Sequence, residues 1–169
     1  MLVLRLLQTE SYARALTRAA HPFAATDVIE GHVRTRMERT SPLDSPTAPV
    51  LWVVLHEAAL LLPVGGNAVM AEQLSHLAEQ TDSRPRIVTQ VLPFSAGAHP
   101  FLHGSMTLMQ FTDAPTVVYT EGAYSGQLVE EPLLVEQFRS AYDLARAAAL
   151  SPEASLQRIV SAAKEFATP

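Results

Sequence analysis

Apolar residues recur along the chain at two different periods. Leu4, Leu7, Tyr12, Leu16 and Ala19 fall at roughly helical spacing over residues 2–20, and Pro22 ends that helix. Ile29, Val33 and Met37 mark one face of a second helix. Asp27 with Glu30 three residues later opens it, and Arg34, Arg36, Glu38 and Arg39 face away. Residues 41–49 hold three prolines and predict a loop. Val50 to Leu55 is a continuous apolar run that reads as a buried strand, and His56 to Leu62 leaves room for a turn or two of helix before Pro63. After Gly65-Gly66, Asn67 is expected to cap a helix with Met70, Leu74 and Leu77 on its apolar face, ending near Asp82.

Ile87 to Leu92 predicts the second strand. Ser105 to Phe111 predicts a third, with Met106, Leu108 and Gln110 alternating against Thr107, Met109 and Phe111, and Thr116 to Thr120 predicts a fourth. Gly122 to Gly126 breaks the pattern. Leu134, Phe138, Ala141, Tyr142 and Ala145 return to helical spacing. Ser151-Pro152 places a capping hydroxyl before a proline at the first helical position, and Leu156, Ile159, Val160, Ala163 and Phe166 form the inner face of the last helix. The order α-α-β-α-β-β-β-α-α predicts one α+β domain over residues 1–169. Its sheet should be small, mostly antiparallel or mixed, with about four strands packed against the N- and C-terminal helices. The long loop 93–104 is where function is expected.

Composition narrows the picture. The 169 residues are 48% hydrophobic and only 17% charged, with a mean hydropathy of +0.12. That surplus of apolar residues suits an interface or a greasy pocket. The net charge of -5, with no basic stripe, argues against direct contact with nucleic acid. With no cysteine there is neither a disulfide framework nor thiolate chemistry. Arg5 interrupts the apolar start Met1–Leu7, which reads as helix rather than signal peptide. No run approaches the roughly 20 apolar residues of a membrane span, so a cytoplasmic, membrane-free protein is expected.

Several residues carry candidate chemistry. His56 and Glu57 at a strand end suit acid–base work or a polar ligand. The plain structural alternative is a locally hydrogen-bonded histidine and a glutamate near a helix N-terminus, and adjacent residues point apart. His99 and His103 have a metal-like spacing only on a helix, which Pro100 and Gly104 oppose, so no metal is expected. Ser95 in Phe-Ser-Ala-Gly is no nucleophile elbow, and Gly65-Gly66 is no phosphate loop. Tyr119, Glu121 and Tyr124 cluster at a strand end, as a ligand site or a capped turn. Met106, Met109 and Phe111 line a pocket or simply fill core.

The chain also resembles a known module. The resemblance starts at Leu6-Leu7-Gln8-Thr9-Glu10-Ser11-Tyr12-Ala13-Arg14-Ala15. It continues at Trp52 to Leu60, at Pro63-Val64-Gly65-Gly66, and at Gln90 to Pro100, and resumes at Val118-Tyr119, Glu121 and Ala148 to Glu153. These segments are similar to the C-terminal domain of actinobacterial XRE-type helix-turn-helix, antitoxin-like regulators, which follows a DNA-binding domain and is thought to sense a ligand or a small partner protein. Met1 lies just before the first of them, which suggests an independent reading frame. Leu4-Arg5 stand where that family usually has Pro-Gly, His56 for an aspartate, Leu61 and Leu62 for arginines, Thr40 for a glutamine, Met106 for a phenylalanine and Gln110 for an arginine.

Those departures turn charges into apolar or neutral groups and suggest a greasier cavity. The resulting expectation is a cofactor-free cyclase or isomerase in secondary metabolism, acting on an apolar, polyketide-like small molecule. His56, Glu57, Glu121 and Tyr119 would be catalytic; Trp52, Leu61, Leu62, Phe94, His99, Met106, Gln110 and Tyr124 would contact substrate. Holding reacting ends together supplies several kcal/mol in such catalysts. The alternative is a regulatory module that binds an effector or a small partner protein through residues such as Leu61, Leu62 and Phe101. A homodimer fits either.

Overall fold

Thr9 sets where regular structure begins. Its hydroxyl accepts the Tyr12 N–H at 3.3 Å and caps α1 (Glu10–Ala20). Ahead of it the chain makes only a short 3-10 turn, Arg5–Leu7. The expected helix over 2–20 therefore starts only at Glu10; Val3 and Leu7 reach the core from a mostly extended segment. The computed structural model describes residues 2–39, 43, 45, 47–102, 104–122 and 125–168. Tyr124, His103 and Thr40 lie outside the described residues.

After α1 come α2 (Thr26–Glu38), β1 (Leu51–His56), the one-turn α3 (Ala58–Leu61) and α4 (Asn67–Ser83). Then follow β2 (Ile87–Leu92), β3 (Ser105–Met109), β4 (Val117–Glu121), β5 (Gly126–Val129), α5 (Pro132–Ala148) and α6 (Pro152–Ala167). Asn67 is the first residue of α4 rather than its cap; Gly66, at φ 89°, occupies the cap. Gly65, at φ 72°, lies so close to α1 that an added Cβ would stand 2.9 Å from that of Ala15.

The domain is α+β, with five strands in two sheets among the described residues rather than about four in one. β1 and β2 pair in parallel, from Leu51 opposite Ile87 to His56 opposite Leu92, with α4 inside the crossover that a parallel pair requires. β3, β4 and β5 form an antiparallel meander. β5 escaped the sequence pattern because it is short and starts on a glycine that reads as a break. Each sheet has its own core. Tyr12, Leu55, Leu60, Leu74, Val91 and Ile159 belong to the first. Val118, Val129 and Val135, with Met106, Leu108 and Phe138, form the second.

One buried polar side chain joins the N-terminal segment to α4. Gln73 is fully buried; its Oε1 accepts the Thr9 N–H and its Nε2 donates to the Leu7 carbonyl, both at 2.8 Å. Gln73→Leu would leave both backbone groups without a partner. The variant is expected to lose about 2–6 kcal/mol in urea denaturation, since each of the two orphaned groups costs about 1–3 kcal/mol.

Candidate functional site

β1 and β2 end side by side, with His56 opposite Leu92. The crevice outside the carboxyl ends of parallel strands is a general place for ligands in α/β structure. Glu57 extends the pairing by one bond, its N–H donating to the Leu92 carbonyl at 2.9 Å. Its carboxylate is forked. Oε2 accepts the Phe94 N–H at 2.9 Å and Oε1 accepts Nε–H of Arg158 at 3.0 Å. The Phe94 N–H is the larger influence that holds this carboxyl below its ordinary range, with Arg158 adding to it against the opposing effect of burial.

His56 contributes a half-buried ring. Its Nδ1 accepts the Ala58 N–H at 3.1 Å. The ring meets Phe94 edge-on at 5.1 Å and stacks on His99 at 5.2 Å between centroids. His99 is fixed in the same way, its Nδ1 accepting the Phe101 N–H at 3.3 Å. A neutral imidazole whose Nδ1 accepts carries its proton on Nε2. Both rings therefore present an Nε2–H, and that of His99 is buried without a partner. Burial, then the neighbouring His99, push the His56 pKa down.

The loop continues directly into a pocket. Pro100 and Phe101, next to His99, form part of an open cleft of about 280 Å³ that Met106, Phe138, Thr120 and Glu121 also line. Glu121 ends β4 and pairs with Arg5 of the N-terminal segment. The cleft lies where loop, meander and α5 come together.

The expected constellation is thus divided. His56, Glu57, Phe94 and His99 meet at the strand ends, whereas Met106 and Glu121 belong to the pocket. Trp52 has a different role: its Nε1 donates to Gln90 at 2.8 Å, its carbonyl accepts the Tyr142 hydroxyl at 3.1 Å, and the Arg146 guanidinium sits 4.6 Å above its ring. It fastens α5 to β1. Tyr119 lies across the neighbouring strand, its hydroxyl filling the space where a Cβ on Gly126 would stand. Leu61 and Leu62 are exposed at the end of α3, and Gln110 is exposed beyond β3. None of these five lines the pocket. Sequence reasoning missed Arg158, Phe101 as a pocket wall, and Phe138. The signal for Arg158 was a cation next to the inner-face residue Ile159.

No group of three or more metal-ligating side chains forms among the described residues, and none of their helices is long and apolar enough to cross a membrane. A family model described as a domain of unknown function, DUF5753, matches residues 1–161. No curated protein and no solved structure matches the chain.

The site makes stability depend on pH. The folded pKa of His56 lies below the ordinary 6.5. Its neutral ring therefore favours the fold above that value, and the contribution is lost as pH falls through the folded pKa. For Glu57 the same sign applies below the ordinary 4.5. Urea midpoints followed from pH 7.5 to 3 should fall in two stages. His56→Gln should flatten the first and Glu57→Gln the second.

Proposed function

The chain belongs to the DUF5753 family, a domain of unknown function, and on that premise we propose that it is a small-molecule-binding, effector-type domain of the kind found in actinobacterial XRE-type, antitoxin-like regulators. One observation carries this reading: the histidines and the carboxylate that meet at the strand ends already accept hydrogen bonds. The Nδ1 lone pairs of His56 and His99 take backbone N–H groups. Glu57 is held by Phe94 and Arg158. A general base must be free to reach the proton it removes. Acceptors that are already engaged, beside a buried and unpartnered His99 Nε2–H, support recognition of a ligand over proton abstraction.

The pocket supports the same reading. Its volume of about 280 Å³ is just under the lower end of ligand clefts, roughly 300 Å³, and Phe101, Met106 and Phe138 supply apolar wall beside polar Ser105, Thr120 and Glu121. The loop from Pro93 to Gly104 carries His99 against His56 and Phe101 against the pocket. A ligand pressing on Phe101 would bias the position of His99, a route by which occupancy changes the domain's conformation.

A cofactor-independent cyclase or isomerase acting on an apolar, polyketide-like molecule is the second reading. The unpartnered Nε2–H of His99 favours it, because such a donor can stabilise a developing oxyanion.

Native mass spectrometry of the purified protein, incubated with a small-molecule extract of an actinobacterium, tests both. The expected result is a bound metabolite and an otherwise unchanged extract. Phe101→Ala should weaken retention about tenfold or more, because burying a Phe ring contributes about 1.5–3 kcal/mol. Conversion of a metabolite without added cofactor, lost in His99→Gln, would select the catalyst instead. A small protein retained from lysate with no metabolite bound would overturn both.

A further inference from the structure

The rim of the pocket carries charge. Glu121 lines the cleft and pairs with Arg5, whose side chain is half exposed. A second guanidinium, Arg36 on α2, stands close enough for its pKa to respond to both: burial lowers it most, Arg5 lowers it further and Glu121 raises it. Arg36 is anchored by donating to Gln8 at 2.9 Å, and Gln8 in turn donates to the Val3 carbonyl at 2.7 Å. Arg5 therefore stands against a carboxylate that lines a cleft walled by Phe101, Met106 and Phe138, with Arg36 near that pair.

Resting on the small-molecule reading above, we propose that the pocket takes an apolar molecule bearing one carboxylate, which displaces Glu121 from Arg5. Arginine binds any carboxylate through the same planar fork. Exchanging one half-exposed ion pair for another is close to balanced, because such pairs contribute little net energy. The apolar body against Phe101, Met106 and Phe138 then drives association. Arg5 lies in the segment that leads through Leu7 to the α1 cap, so the exchange is felt where Gln73 holds Thr9 and Leu7. A cationic ligand would do the opposite, taking Glu121 and releasing Arg5.

Opposite mutational signs at Arg5 and Glu121 test the exchange. Calorimetric titration would use octanoate and benzoate, each against its neutral amide, with circular dichroism confirming that every variant is folded. The acids are expected to bind saturably and the amides at least about tenfold more weakly. Glu121→Gln, which frees Arg5, should tighten acid binding several-fold, and Arg5→Gln should weaken it about tenfold. Equal binding of acids and amides, or weaker acid binding by Glu121→Gln, overturns the assignment. If neither acid binds while wild-type protein still retains an extract metabolite that Phe101→Ala loses, the ligand class is wrong and the binding reading stands. If neither probe nor metabolite binds, both fall.

Discussion

The Glu57 carboxylate is the interaction on which the candidate site depends. It lies at the end of β1, accepts the backbone N–H of Phe94 from the loop after β2, and pairs with Arg158 of α6. Three segments distant in sequence are joined by two bonds to one side chain. A charged acceptor makes such bonds roughly twice as strong as neutral ones. Because Phe94 is held there, its ring can stand edge-on to His56, and the loop beyond can bring His99 over the same ring. The fork also keeps the carboxyl charged. Glu57 is thereby a fastening of the site rather than a reagent in it.

Other polar contacts brace the same region. The Ser155 hydroxyl accepts the Val91 N–H at 2.8 Å, and Gln90 donates to the Leu150 carbonyl at 2.7 Å, fixing the start of α6 against β2. Gln90 also receives the Trp52 indole, which lies beneath Arg146 of α5. Through these side chains the parallel pair is bonded to both C-terminal helices. The loop 93–104 then bridges from the first core to the meander of the second, and the pocket forms on its far side.

This arrangement explains the split of the expected site. A strand-end histidine and a strand-end glutamate look alike in a sequence, yet Glu57 and Glu121 end on different sheets, one fixed by α6 and the other by the N-terminal segment. Tyr119 and Glu121 are close along β4, but the tyrosine covers Gly126 while the carboxylate reaches the pocket mouth.

Local chemistry was legible in the sequence because it depends on neighbours in the chain. The Ser151 cap, whose hydroxyl accepts the Ala154 N–H, the run Ile87 to Leu92, the helix face of Met70, Leu74 and Leu77, and the α+β order all follow from periodicity and capping within a few residues. The loop 93–104 was also visible as the long connection carrying His99. Tertiary structure alone decided the rest. Whether β1 meets β2 in parallel depends on where the α4 crossover sends the chain. Whether His56 faces His99, and whether Arg158 finds Glu57, depends on how α6 packs over β2. Burial and charge in the pocket are set by residues from four separate elements. Such pairings are fixed by the free energy of packing distant segments together, and a one-dimensional pattern of apolar and polar positions carries no record of which distant segments those are.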